Sequence, residues 1–346
     1  MKALVLTDVN RLEFRDIPQP VPREKEVLIR VRACGICGSD VQGLDGSTGR
    51  RLPPLVMGHE AAGLVAQVGK GVTRWQVGEA VAFDSTIWCG HCRFCNRGKI
   101  NLCENRQVLG VACKEFRRDG AFAEYVVVPE HVLVKLPEGL SFEEATLAEP
   151  LAVALHAVGR LPSLLGQTAF VVGAGMIGLM ALQALRLGGC THILVADQLP
   201  ERLELAKRLG ATQTFCIDRP EQLQEVAAEL TRQLDGGTDL AVEAVGLEET
   251  VVAAVHAVRK GGAVALIGNL RPEVRLPLQA VVTREISLFG SYASAGEYPL
   301  ALKLLSQKKV DASALISAVA PLEEGPQWFS RLRAKDPGLL KVILQP

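Results

Sequence analysis

The sequence lacks any excess of charge: 38 basic residues face 38 acidic ones, and no block of like sign stands out. That absence removes the electrostatic footprint expected of a protein that binds nucleic acid or an anionic membrane. Long apolar runs are also missing, because the longest candidates are broken by glycine or charge before they reach the length of a membrane span. The opening MKALVLTDVN has neither the apolar core of a signal peptide nor the composition of a transit peptide. A cytoplasmic location is therefore expected. Internal repeats and low-complexity segments are absent as well.

What remains is an ordinary globular composition, 48% apolar and 22% charged over 346 residues, enough for about two domains with separate cores. Nine cysteines form a high count for a reducing compartment, where clustered thiols point to metal.

The stretch Ala169–Gly178, AFVVGAGMIG, is the most informative. An apolar, β-branched run ends at the glycines and a helical run, Leu179–Leu187, follows at once, so Gly173-x-Gly175-x-x-Gly178 sits where a strand turns into a helix. There Gly173 allows the tight turn, Gly175 allows a pyrophosphate to approach, and Gly178 lets helix and strand pack closely. The helix start offers free N–H groups to phosphates. A second strand, His192–Asp197, ends in an acid nineteen residues beyond Gly178. Asp197 is placed to accept hydrogen bonds from an adenosine ribose and to repel a 2′-phosphate, which favours NAD over NADP.

Around this stretch the chain changes plan. Residues 1–150 are strand-rich and punctuated by Gly and Pro, with strands expected at Leu4–Leu6, Glu26–Ala33, Ala61–Val68, Glu79–Phe83 and Ala123–Val128. Helical periodicity begins over Ser141–Leu161, with Ser141 as N-cap and Glu144 at the capping-box position. Strands then alternate with helices: Ala169–Val172, His192–Ala196, Gln213–Ile217, Asp239–Ala244, Ala263–Ile267 and Ile286–Phe289, separated by helices such as Pro200–Leu209, Glu221–Gln233 and Leu247–Val258. This pattern predicts an α/β protein with a six-stranded, doubly wound parallel sheet over 151–290 and a β-rich domain over 1–150. The tail, 291–346, with a helix at Tyr298–Gln307 and a strand at Leu340–Leu344, is expected to return to the first domain.

Two constellations carry metal chemistry. Cys89, Cys92 and Cys95 recur at every third position and Cys103 closes the loop after seven residues. Four thiolates of this kind wrap a tetrahedral zinc with no open position, a structural site. A ferredoxin-type cluster fits less well, since the last gap is too long and Glu104 stands where that motif has proline. His91 lies inside the loop but is redundant. The second set is dispersed: Cys34-Gly-Ile-Cys37-Gly-Ser39-Asp40, Gly58-His59-Glu60 and Glu149-Pro150. Taken singly, these read as a redox pair, a core histidine and a first-turn acid. Taken together, a thiolate, an imidazole and carboxylates make an open zinc site with room for water or substrate.

The order Cys37-Gly38-Ser39-Asp40, Gly58-His59-Glu60, the cysteine loop, Glu149-Pro150-Leu151 and the glycine motif resembles the zinc-dependent medium-chain dehydrogenase/reductase superfamily over essentially the whole chain. It is most similar to the polyol branch: sorbitol, galactitol-1-phosphate and threonine dehydrogenases. The resemblance implies a GroES-like catalytic domain and a Rossmann domain. It implies two Zn²⁺ per chain, one structural and one catalytic on Cys37, His59 and Glu60, with Glu149 as fourth ligand or as partner of the zinc-bound water. Liver-type alcohol dehydrogenases carry a cysteine where Glu149 falls, and no cysteine lies between Cys113 and Cys190. Carboxylate there points to the polyol branch. Relatives often carry a histidine two residues beyond the aspartate; here that position is Gln42, so proton release is expected to run through Ser39, Glu149 and water.

The expected activity is NAD-linked oxidation of a secondary alcohol, a polyol, polyol phosphate or amino alcohol, to the ketone by hydride transfer. Further cofactor contacts are expected at Met176, Ile177, Val245-Gly246, Ile267 and Gly268, with Arg202 on the adenosine side. Two other readings compete: an NADPH-dependent quinone or enoyl reductase without catalytic zinc, disfavoured by Asp197 and the full ligand set, and a zinc-loop redox sensor that binds a partner, disfavoured by the neutral charge balance. Arg50, Arg51, Arg117 and Arg118 are expected to be solvated loop charges rather than a phosphate site. A homodimer or homotetramer is expected, with Ile286–Phe289 as an edge for sheet extension between subunits.

Overall fold

The computed structural model describes all residues, Met1–Pro346, and divides into two compact units, Met1–Glu149 with Ala295–Pro346, and Pro150–Ser294. No helix is long and apolar enough to cross a membrane.

The first unit is built on a seven-stranded sheet of order Leu133–Lys135, Ala80–Phe83, Glu60–Val68, Glu26–Gly35, Lys341–Gln345 and Ile316–Pro321, with Tyr125–Pro129 also paired to Glu26–Gly35. Alternation of inward apolar and outward polar residues along Glu26–Gly35, EVLIRVRACG, fits a strand with one face on the core. Leu4, Phe83, Phe122 and Phe329 are among the side chains that fill that core, the last two edge-on at 5.7 Å. Register then positions the site. Gly35 pairs with Glu60 on one side and with Ile343 on the other, so three strand ends bring together the segments following Gly35, preceding Glu60 and beginning at Lys341.

The second unit is the expected six-stranded parallel sheet, ordered Gln213–Cys216, His192–Asp197, Thr168–Val172, Thr238–Glu243, Val258–Leu266 and Ser287–Gly290. Apolar runs such as TAFVV and HILVAD are buried because helices cover both faces of a parallel sheet. Its core is separate from the first and is centred on Phe170, Leu194, Leu230, Ala241 and Val264.

Several local expectations need correction. Ser141–Leu161 is two helices, Phe142–Ala145 and Ala148–Gly159; the second starts afresh because Pro150 is tolerated in a first turn, where no intrahelical donor is lost. Ser141 Oγ accepts from Glu144 N–H at 3.1 Å as an N-cap should, but the capping box does not close. The Glu144 carboxylate turns instead to Lys308 Nζ at 2.6 Å. The strand expected from Ala263 begins at Val258, and the last strand of this sheet runs Ser287–Gly290 rather than Ile286–Phe289.

Candidate active site

In the cysteine loop, short 3₁₀ turns at Cys95–Arg97 and Ile100–Leu102 fold the chain back, and pairing of Thr86–Ile87 with Gln107–Val108 closes its base. The ligand atoms of Cys89, Cys92, Cys95 and Cys103 all lie within 4.8 Å of one another. Backbone N–H groups already point at sulfur: Cys89 N–H donates to Cys103 Sγ at 3.3 Å and Cys95 N–H to Cys92 Sγ at 3.5 Å. The backbone N–H of His91 draws the Cys89 thiol down to about 6, while burial pushes Cys95 up to about 12. The His91 ring bonds the Cys89 carbonyl at 2.8 Å. Four sulfurs at this spacing fit a closed structural zinc site.

In the same unit, Cys37, His59 and Glu60 present ligand atoms within 4.8 Å of one another. His59 is 7% exposed and Glu60 1%. A thiolate, an imidazole and a carboxylate converging in a buried place suit Zn²⁺, and three protein ligands leave a position open. Cys37 precedes the short helix Gly38–Gly43, and Asp40 in that helix accepts from Cys37 N–H at 3.3 Å. The other Asp40 oxygen faces His59 Nδ1 at 3.4 Å and accepts from Arg51 Nη2 at 2.9 Å. Burial would raise the Asp40 pKa, yet His59 and Arg51 hold it far below the ordinary range. Burial likewise opposes protonation of His59, but Asp40 and Cys37 raise its pKa well above the usual value.

Glu149 stands outside that three-residue group, in the first turn of Ala148–Gly159. Desolvation, reinforced by Glu60 and Asp84 and opposed by His59, pushes its pKa up to about 7. Ser39 is exposed at the start of its helix, and Gln42 is exposed as well.

Three residues of this centre carry more than the sequence disclosed. Lys341 is 2% exposed; its Nζ pairs with Glu60 Oε2 at 2.5 Å and donates to the Ile36 carbonyl at 3.0 Å. A lysine opening an otherwise buried strand, KVILQ, is the signal that could have revealed it, since a buried ammonium needs a partner. Asp40 was visible only as part of a motif. Arg51 is 5% exposed and paired, so the expectation of a solvated charge fails there. For the others the structure gives Arg117 bonded to the Pro54 carbonyl, Arg118 Nε to Gln107 at 2.6 Å, and Arg50 half-buried.

In the second unit the residues expected to meet a dinucleotide collect at the carboxyl ends of the parallel strands. Gly173 has φ +99°, and a Cβ on Gly178 would lie 1.8 Å from the Gly173 carbonyl oxygen, so only glycine allows this strand and helix to meet. Met176 and Ile177 are half-buried in the first turn of Met176–Leu187. Arg202 Nη1 lies 3.9 Å from the place a Gly175 Cβ would take. Asp197 accepts from Ala174 N–H at 2.6 Å and from Leu199 N–H at 2.9 Å, so it also ties down the glycine turn. Glu243, which no sequence motif marks, clamps the two remaining loops. Its side chain accepts from Val245 and Gly246 N–H at 2.9 and 2.8 Å, and its carbonyl accepts from Ile267 and Gly268 N–H at 2.9 and 3.1 Å.

Comparison with known proteins agrees with this arrangement. Residues 23–138 match the alcohol dehydrogenase GroES-like domain and residues 177–307 the zinc-binding dehydrogenase family. The chain is 34% identical to sorbitol dehydrogenase of Bacillus subtilis, over 100% of this chain and 97% of that protein. It superposes with a TM-score of 0.91 and 30% identity on an alcohol dehydrogenase of Escherichia coli CFT073 complexed with NADH, covering 100% and 99% of the two chains. A zinc-binding dehydrogenase of Sinorhizobium meliloti 1021 bound to NADP gives the same score at 31% identity, again over 100% and 99%. With a GroES-like unit, a six-stranded parallel nucleotide-binding sheet and both cysteine-bearing clusters in place, the chain belongs to the zinc-dependent medium-chain alcohol dehydrogenase superfamily.

Proposed function

We propose that this enzyme oxidises the secondary alcohol of a polyol, polyol phosphate or amino alcohol to the ketone, with NAD as hydride acceptor. The observation that carries the reading is the convergence of Cys37, His59 and Glu60 within 4.8 Å in a buried place. In this reading these three hold the catalytic zinc, and Cys89, Cys92, Cys95 and Cys103 a second, structural one. Zinc supplies Lewis acidity that lowers the pKa of the substrate hydroxyl, and NAD supplies the hydride acceptor.

The chain's own residues do the rest. Asp40 faces His59 Nδ1 and accepts from the Cys37 N–H, the place from which a carboxylate orients a metal-bound histidine. Ser39 accepts the alcohol proton and passes its own toward solvent. Glu149, with its raised pKa, serves as fourth ligand or as the hydrogen-bond partner of water at the site. Gly173, Gly175, Met176, Ile177 and Gly178 receive the pyrophosphate at the helix N-terminus. Asp197 meets the adenosine ribose, with Arg202 near Gly175 on the adenosine side, and the negative charge of Asp197 is the ground for preferring NAD to NADP. Val245, Ile267 and Gly268 line the nicotinamide side.

The test is initial rate with NAD⁺ and NADP⁺ against secondary alcohols, polyols, polyol phosphates and L-threonine. Turnover of one polyol class with NAD⁺ is expected; turnover confined to NADPH and quinones or enones would overturn the reading.

We further propose that the working form is a homo-oligomer in which a second copy adds to the edge strand Ser287–Gly290. On the segment that leads into that strand, Leu276, Leu278 and Val282 are 40%, 64% and 65% exposed, apolar exposure of the kind that marks an interface.

A further inference from the structure

Arg51 lies in a loop, 45–54, rich in Gly, Ser and Pro, yet its side chain is 5% exposed. Its backbone is fixed beside Ala112: Leu52 N–H donates to the Ala112 carbonyl at 3.0 Å and Ala112 N–H to the Arg50 carbonyl at 3.1 Å. The stem fills the space that Gly43 leaves, where an added Cβ would come within 2.3 Å of Arg51 Cγ. Nη1 donates to the Arg50 carbonyl at 3.2 Å, and Nε has no partner. Desolvating a guanidinium is costly, and the fold recovers that cost through one carboxylate, Asp40, itself 0% exposed.

The destinations of Nη2 are what give this residue a role. It donates to Asp40 Oδ1 at 2.9 Å and to Ser39 Oγ at 3.5 Å. Asp40 in turn meets His59 Nδ1 and Cys37 N–H. One guanidinium therefore touches the proton acceptor directly and two of the three zinc-binding residues through a single carboxylate.

We propose that Arg51 is a positioning residue of the catalytic centre, holding Asp40 against His59 and Cys37 and setting the hydroxyl of Ser39. The proposal rests on the reading of Cys37, His59 and Glu60 as zinc ligands and of Ser39 as proton acceptor. Donation from Nη2 occupies one lone pair of Ser39 Oγ. The other lone pair is left to take the substrate proton while the serine's own proton leaves to water. Both contacts leave from the same nitrogen, so Arg51 fixes the places of Asp40 and of the Ser39 hydroxyl together. Arginine is required because its planar, rigid fork orients both contacts, which a compact ammonium on a flexible stem does not.

The experiment uses the full-length, zinc-loaded enzyme with Arg51→Met and Arg51→Lys. Zinc per chain is measured during titration with a chelator, cobalt is exchanged into the catalytic site for its visible spectrum, and kcat and KM are determined. In Arg51→Met the catalytic metal should leave at a chelator concentration 10- to 100-fold lower than in wild type, the usual effect of loosening a carboxylate that orients a metal ligand. One zinc per chain should remain on the four cysteines. The cobalt bands should shift, and kcat should fall at least tenfold with KM for NAD⁺ unchanged. Arg51→Lys should restore metal retention in part but not kcat. Wild-type metal retention, cobalt spectrum and kcat in Arg51→Met, with only a lower melting temperature, would overturn the proposal. If Arg51→Met does not fold, Arg51→Lys decides: wild-type kcat and cobalt spectrum there would overturn it. Failure of the underlying zinc reading is separate and visible beforehand, as wild-type enzyme holding a single zinc.

Discussion

Replacing Lys341 by methionine is the sharpest test of how the catalytic unit is held together. The Lys341 ammonium and the Glu60 carboxylate are 2% and 1% exposed and 2.5 Å apart, and the ammonium also satisfies the Ile36 carbonyl. Burial alone would lower the lysine pKa, but Glu60 beside it raises it, so the lysine keeps its charge at neutral pH. Methionine preserves most of the volume and removes the charge, which leaves a buried carboxylate with no cation on Oε2. Removing one partner of a buried pair costs about 3–5 kcal/mol. In a unit of about 200 residues each kcal/mol moves the melting temperature by roughly 2–4 °C. The first unit should therefore melt on the order of 10 °C lower by calorimetry, while the second unit's transition stays in place. A Lys341→Met transition within 2 °C of wild type would refute the argument that this pair is a structural necessity of the site.

Other outcomes follow from the same reasoning. Gly178→Ala places a methyl 1.8 Å from a backbone oxygen, so strand and helix must separate; the NADH dissociation constant from fluorescence titration should rise at least tenfold, about 1.4 kcal/mol, with zinc content unchanged. Asp239 accepts from Thr168 N–H and Oγ1 at 2.8 Å and from Arg259 Nε at 2.7 Å; burial works against ionisation, but these donors hold its pKa below the ordinary value. A depressed carboxylate contributes stability above its unfolded pKa of about 3.9 and loses it as pH falls. Asp239→Asn should then cost about 1–3 kcal/mol at pH 7, and the gap in melting temperature should shrink below about pH 4; an equal gap at both pH values would contradict this. Leu278→Glu should shift the light-scattering mass of the enzyme toward the monomer, and an unchanged mass would remove that face as the contact between copies.

The parts of the molecule legible in the sequence are those whose chemistry is local. The glycine turn, the acid at Asp197 and the four cysteines each lie within one loop or one strand–turn–helix unit, where spacing along the chain is spacing in space. Cys37 and the pair His59-Glu60 required a resemblance to join them, because what joins them is the register of Glu26–Gly35 on Glu60–Val68. The partner of Lys341 is hidden for the same reason carried further: it is 281 residues away, and only pairing of the last strand with Gly35 explains it. Arg51 misled because polar loops are normally solvated, and nothing in its neighbours announces that Asp40 lies buried beneath it. Strand starts near Gly261-Gly262 were misplaced because glycines that usually mark a turn here continue a strand.

The central claim is that Cys37, His59 and Glu60 hold a second zinc beside the four-cysteine site. Zinc content of the purified enzyme and of Cys37→Ser, measured together with NADH binding, tests it most directly. The account predicts about two zinc per chain in wild type, about one in Cys37→Ser, NADH affinity within a few-fold of wild type, and no turnover. Equal zinc in both proteins, or an active Cys37→Ser enzyme, would contradict it.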